Sequence, residues 1–263
     1  MTTTDAPQRS NDGTVGKALE ILDRVAEYGR PVRFAELLAE SNHPKATLYR
    51  LLQTLTNQGM LCFDDLQQTY APGLRLVRLA HTAWQQSSLA PIARPHLDAL
   101  STSVGETIHL AQLDQGQVLY VDKRNARTPI EMFSQAGKVG PGYCTGVGKA
   151  IIAHLDHEAR EDAILRQAYF QHTPHTLATE SAFRNELESI RAEGVAFDRE
   201  EHEPGIICIA APILSTKGRV MGALSITSST QRQSLESLTT LRPLLLKTAN
   251  DIAETAESWQ FPT

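Results

Sequence analysis

Between Pro44 and Gly59 the chain sets four leucines against a face that carries no acid. On a helical wheel of about 100° per residue with Lys45 at zero, Leu48, Leu51, Leu52 and Leu55 fall between about 240° and 340°. That is one packed side. Lys45, Ala46, Tyr49, Arg50, Gln53 and Thr54 fall on the other side, between zero and about 180°. A solvated helix normally mixes the signs of its charges. A surface of two cations, a phenol, an amide and a hydroxyl suits phosphates and the edges of bases instead. The plainer alternative is a small helical core whose basic residues merely face water.

The neighbouring segments constrain this helix further. Upstream, Val15, Ala18, Leu19, Leu22, Val25 and Ala26 recur at helical spacing, and Gly29-Arg30-Pro31 ends that run. A short second helix with Phe34, Leu37 and Leu38 inward leads through Ser41-Asn42-His43 to Pro44, which suits a first helical turn. Downstream, Met60 to Phe63 and Gln68 to Ala71 read as two short strands about Asp64-Asp65. Helix, helix-turn-helix and hairpin make a winged helix-turn-helix over residues 13–72, behind a disordered tail at 1–12. A linker helix is expected over 73–90, apolar on more than one side. Its Leu76, Leu79, Ala80 and Ala83, beside Trp84, offer a seam for a second copy.

Residues 91–263 read differently. The two parts differ in charge: residues 1–80 hold nine cations and nine acids, so the net charge of -5 belongs to the remainder. Hairpins are expected at Thr107 to Val121 and at Ile206 to Ile226, with another strand at Ile130 to Phe133. Helices are expected at 92–103, 144–155, 156–167 and 182–193. A closing helix through Leu235, Leu245 and Ile252 is split or kinked at Pro243. An antiparallel sheet with helices on its sides is an α+β, sensor-like domain.

Several classes are excluded. No apolar run reaches the roughly 18–20 residues of a membrane helix, and Met1 to Asp12 lacks the apolar stretch of a signal peptide. Cys62, Cys144 and Cys208 are odd in number and far apart, which fits a reducing cytoplasm and no disulfide framework or zinc ribbon. No membrane partner and no cofactor are expected.

Gly142 to Ala150 tempts a phosphate-loop reading and fails it, because five residues separate Gly142 from Gly148 and Ala150 replaces the magnesium-holding hydroxyl. What survives is a helix start rich in small residues, whose exposed N–H groups suit a carboxylate. Lys149 either adds charge there or lies on the solvated side. Cys144 or Cys208 with His109 or His202 as base would make a nucleophile, though no local motif supports it. Asp198, His202, Cys208 and His109 are metal-ligand types without a compact spacing. The acidic run Asp198 to Gly205 is a solvated loop or a pocket rim, and Ser225 and Thr227 share one face of a strand.

The chain resembles the IclR-type bacterial transcriptional regulators over about residues 14 to 258. The resemblance rests on Pro44 to Leu52, Gly105 to Leu110, Tyr120 to Lys123, Cys144 to Ala150 and Glu200 to Gly205, in that order. Ala46 stands where the family often has Ser, and Tyr49 where it often has His. The resemblance implies a winged helix-turn-helix, a linker helix and a GAF-like effector-binding domain, and no enzyme activity. It implies that Lys45, Ala46, Thr47, Tyr49, Arg50 and Gln53 face a palindromic double-stranded operator. It implies a small organic acid against Gly146 and Val147, with Asp198, Cys208, Ser225, Thr227, His109 and Met132 around it. Regulators of sugar-acid breakdown are the nearest in these segments, with keto-acid and aromatic-acid sensors also in the family. A homodimer, or a tetramer of two dimers, is implied as well. A metal-responsive repressor and a cysteine-dependent enzyme fused to a DNA-binding module remain the alternatives.

Overall fold

The computed structural model describes residues 13–87 and 89–257, so the expected tail at 1–12 and the last six residues lie outside it. The chain divides into two units between Ala83 and Trp84.

In the first unit, α1 (Gly13–Glu27), α2 (Phe34–Glu40) and α3 (Lys45–Asn57) enclose one apolar core. Leu48, Leu51, Leu52 and Leu55 are buried in it with Ile21, Leu22, Val25 and Leu37, as the wheel requires. The hairpin β2 (Leu61–Asp64) and β3 (Thr69–Pro72) pairs with a two-residue strand, β1 (Val32–Arg33), in the order β1-β3-β2. The short β1 has no periodicity to announce it. The Asp64 carboxylate tightens the hairpin by accepting the N–H groups of Leu66 and Gln67. Gly73 then passes so near Gly59 that a Cβ would overlap the Gly59 carbonyl.

The helix α4 (Leu74–Ser87) follows. Leu76 packs onto the first unit's core, so it is not part of an open seam, while Leu74, Val77 and Leu79 are exposed at 87%, 65% and 46%. Trp84 belongs to the second unit, where its indole N–H donates to the Val121 carbonyl at 3.0 Å.

The second unit is built on six antiparallel strands in the order β6-β5-β4-β9-β8-β7. They are β4 (Thr107–Asp114), β5 (Gln117–Arg124), β6 (Val139–Gly140), β7 (Ala196–Arg199), β8 (Ile206–Leu214) and β9 (Val220–Ser229). Alternation divides their side chains between two cores. Ile108, Leu110, Val121, Ile207, Ile209, Ala211, Leu224 and Ile226 face α5 (Ala90–Val104) and α10 (Arg242–Thr255). Val118, Tyr120, Ala196, Ala210 and Ala223 face α6 (Gly146–His154) and α8 (Glu180–Glu193). Two short helices, α7 (His157–Leu165) and α9 (Leu235–Thr239), complete the unit, and Pro243 sits in the first turn of α10, as its fixed φ favours.

Two expectations are corrected here. Ile130 to Phe133 is not a strand: the Phe133 N–H goes to the Glu203 carboxylate at 3.0 Å rather than to a ladder. Lys149 is not on a solvated side. It is wholly buried, and its ammonium meets Glu201 at 2.5 Å and Glu186 at 3.1 Å. Arg199 also binds Glu186, at 2.9 Å. Burial pushes the Glu201 carboxyl up against the pull of Lys149, whereas Lys149 and Arg199 outweigh burial at Glu186 and hold it down.

This cluster ties α6 to α8 and to the turn after β7, the elements that frame the site below. Removing one partner of a buried pair strands the other charge. Lys149→Met is therefore expected to lower stability by about 3–5 kcal/mol in chemical denaturation. Adding Glu201→Gln should recover part of the loss, and equal losses in both variants would show that the pair is not coupled.

Candidate DNA-reading face and effector cavity

The α3 surface is as the wheel lays it out: Lys45, Ala46, Tyr49, Arg50, Gln53 and Thr54 are exposed, and Thr47 is half-buried at its margin. Tyr49 stands edge-on to Phe34 at 6.2 Å, and its hydroxyl accepts from the Gln53 amide at 3.4 Å. A groove between α3, the start of α2 and the hairpin is lined by Lys45, Ala46, Tyr49 and Gln53, with Arg33 and Asp65. Arg33 is an addition to the sequence reading, since its place beside α3 depends on the β1–β3 pairing.

In the second unit, one cavity collects every residue assigned there from the sequence. His109, Met132, Gly146, Val147, Asp198, Cys208, Ser225 and Thr227 all line it. The sheet explains how residues a hundred positions apart meet. Asp198 pairs with Cys208, Cys208 with Thr227, and His109 with Ser225, all on the face toward α6. The free space within the cavity is small, about 30 Å³, so a ligand larger than a water molecule requires the lining side chains to move apart. Tyr120, Ser134, Thr145 and Ile206 also line it. Tyr120 was open to discovery, being on the same strand face as Val118. Ser134 was not, because it hangs from the irregular segment that replaces the expected strand. His202 and Glu203, from the acidic run, complete the rim.

One wall is the start of α6. Thr145 occupies the N-cap position, but its hydroxyl donates to the Pro141 carbonyl and accepts no helix N–H. By contrast, Asp156, Thr179 and Ser234 cap their own helices. The first N–H groups of α6 are thus buried without a side-chain cap, where a helix end calls for an acceptor. The helix begins at Gly146, two residues later than expected, because Cys144 and Thr145 are still extended or turning.

Hydroxyls ring the opposite wall. His109 Nδ1 lies 3.1 Å from Thr227 Oγ1, and its Nε2 lies 2.8 Å from Ser134 Oγ. Burial, aided by Lys123, pushes this imidazole down to about 3, so it is neutral. Asp198 Oδ1 accepts the Glu201 backbone N–H at 2.8 Å. Burial first, then the Glu201 carboxylate, pushes Asp198 up to about 7. Burial also opposes ionisation of Glu203, but His202, the Phe133 N–H and Lys123 together hold its carboxyl below the usual range.

These facts bear on the alternatives. Cys144 and Cys208 are buried, and burial followed by the Asp198 charge drives both thiols far up, away from the reactive thiolate. Both nitrogens of His109 are engaged, and no group of three or more potential metal ligands occurs among the described residues.

Comparison with known proteins agrees with this arrangement. Residues 14–65 match the IclR helix-turn-helix domain, and residues 81–254 match the bacterial transcriptional regulator IclR C-terminal domain. The chain is 32% identical over 220 residues to the HTH-type transcriptional regulator XynR of Escherichia coli, covering 83% of this chain and 87% of that protein. It is 30% identical over 255 residues to the HTH-type transcriptional regulator KdgR of the same organism, covering 97% of each. An IclR homolog from Microbacterium hydrocarbonoxydans, solved with 4-hydroxybenzoate, shares the fold with a TM-score of 0.78 at 20% identity, over 94% of this chain and 100% of that one. These relatives are regulators and not enzymes. The chain, with an uncapped helix facing a polar cavity in one unit and a winged helix with an acid-free α3 face in the other, belongs to the IclR family of bacterial transcriptional regulators.

Proposed function

We propose that this regulator senses a small organic acid, hydroxylated or aromatic, and adjusts its hold on a palindromic operator in response. The observation that carries the reading is the buried, uncapped start of α6, opening on a cavity ringed by Ser134, Thr145, Ser225 and Thr227. A carboxylate there would accept the free N–H groups of Gly146 and Val147, and the hydroxyls suit a ligand rich in oxygen. The 4-hydroxybenzoate in the Microbacterium protein supports an acid. An acid that prefers one of two arrangements of the regulator shifts the operator affinity with it. The cytoplasm is the place for such work, and no described helix is long and apolar enough to cross a membrane.

The α3 face reads the DNA in this proposal. Lys45, Ala46, Thr47, Tyr49, Arg50 and Gln53 approach the major groove, with Arg33 on a phosphate. The protein works as a dimer or as a pair of dimers, because the apolar Leu74, Val77 and Leu79 of α4 stand in water in the single chain. The units are the winged helix to residue 72, the linker helix, and the effector domain beyond residue 90.

Two outcomes are expected. Arg50→Ala should weaken binding to the cognate promoter by about 1–3 kcal/mol and relax its base preference, as read by gel shift against random DNA. Unchanged affinity for both, with the fold intact, removes Arg50 from the interface. Light scattering at micromolar concentration should give at least twice the chain mass, and Val77→Glu should lower it. A monomer that persists with operator DNA present refutes the paired assembly.

A further inference from the structure

The charges around the effector cavity restrict which ligand it can take. Among the described residues no lysine or arginine lines it, while two carboxylates do, Asp198 and Glu203. The nearby cations are engaged elsewhere. Lys149 is held by Glu201 and Glu186, Arg199 by Glu186, and Lys123 donates to the Ser134 carbonyl at 2.7 Å. The positive features that remain on the wall are the start of α6, worth roughly half a charge, and the His202 ring, which already faces Glu203 at 3.8 Å. An incoming carboxylate at Gly146 would come beside Asp198, whose backbone nitrogen is only 3.5 Å from where a Gly146 Cβ would stand. Two buried carboxylates side by side do not both stay ionised.

Resting on the acid-sensing reading above, we propose that the cavity takes a monocarboxylate together with one proton, held on Asp198, and rejects dicarboxylates and phosphorylated acids.

The geometry supplies a place for that proton. Asp198 is buried on β7 with Oδ1 accepting the Glu201 N–H, which leaves Oδ2 as the oxygen to carry a proton. A protonated Oδ2 would donate to the ligand carboxylate, turning a repulsion into a charge-assisted hydrogen bond. The groups facing Asp198 are Glu201 and His202 from the turn after β7, Lys149 from α6, and the neutral thiols Cys208 and Cys144. Tyr120 faces it from β5, and burial keeps that phenol protonated. Lys149 and His202 ease the ionisation of Asp198; burial and Glu201 oppose it more. A second ligand charge has no such remedy. It would lie near Glu203, which is already ionised and anchors the Phe133 N–H.

The sign of the pH effect follows. With Asp198 titrating at about 7 in the free protein and protonated in the complex, affinity is full at low pH and lost as pH rises. Between pH 6 and 8.5 the dissociation constant should increase by about 30-fold. Removing the charge with Asp198→Asn keeps the acceptor for the Glu201 N–H and should flatten this dependence.

The test uses the full chain and three matched pairs of acids: gluconate with glucarate, pyruvate with oxaloacetate, and 4-hydroxybenzoate with terephthalate. Thermal shift at pH 6 is expected to show stabilisation by at least one monocarboxylate and none by its dianionic partner. Calorimetry with the acid that binds, in two buffers of different ionisation enthalpy at pH 8, should show uptake of about one proton. That uptake should vanish in Asp198→Asn. Equal or stronger binding of a dianion, or binding without proton uptake, overturns the proposal and leaves the acid sensor standing. Silence from all six acids, with DNA binding intact, counts against the acid sensor itself and takes the proposal with it. Without any ligand, Asp198→Asn should also be more stable than the parent at pH 8.5, and the gap should narrow as pH falls below about 7 and close near pH 4. A constant gap would show that Asp198 does not hold a proton.

Discussion

The closeness with which α6 lies on the sheet is the constraint on which the effector domain turns. A Cβ at Gly146 would overlap the Cys208 sulfur, and one at Gly148 would come within 2.5 Å of the Gly142 carbonyl. Glycine at 146, over Cys208 and Ala210, lets the helix end approach the strands so nearly, and glycine at 148 lets the loop at Gly142 fold back against it. The approach buries the first turn of α6 while leaving it no side-chain cap. A polar space at that end of an otherwise apolar layer is then required, because buried N–H groups without acceptors are costly. The cavity is the consequence of the packing. It follows that enlarging Gly146 would disturb the Cys208 contact as well as any ligand, so Asp198 is the cleaner probe of the site.

The same layer has to absorb a lysine. Lys149 falls one turn along α6 from Gly146 and points into protein, where an unpaired ammonium would be prohibitive. Glu186 and Glu201 meet it from α8 and from the turn after β7. That pairing removes the nearest cation from the cavity and fixes the turn whose backbone N–H binds Asp198. Pairing Lys149 with the two glutamates thus leaves the neighbouring Asp198 carboxylate without a cation of its own.

Much of this was legible beforehand, for reasons that can be named. The α3 face could be read because helix periodicity separates Leu48, Leu51, Leu52 and Leu55 from Lys45, Tyr49 and Arg50 without reference to anything distant. Ser225 and Thr227 could be placed on one strand face by alternation alone. That Gly146, Cys208 and His109 share one cavity came from the family resemblance, and it takes β4, β8 and β9 side by side to bring them there. Lys149 was ambiguous, since nothing local in Gly148-Lys149-Ala150 foretells two glutamates 37 and 52 residues away. Ile130 to Phe133 misled for a related reason. Its apolar residues have strand-like composition, but the Glu203 carboxylate takes the hydrogen bond that a neighbouring strand would need.

The winged helix has its own charge problem. The hairpin from Leu61 to Pro72 holds no lysine or arginine and carries Asp64 and Asp65, with Leu66 at its tip 96% exposed. Arg30 is paired with Glu36, and Arg24 with Glu27 and Glu40. In the DNA contact proposed above, phosphate neutralisation therefore falls mainly to Lys45, Arg50 and Arg33. Because each phosphate contact contributes through the counterion it releases, so few cations hold one module weakly, and one helix specifies few base pairs. Both deficits are removed by a second module on a two-fold axis, which doubles the contacts while the acidic wings limit attachment to unrelated DNA. The apolar face of α4 and the sparse charge of the α3 face both fit the paired assembly proposed above, in which the single chain is half of the reading unit.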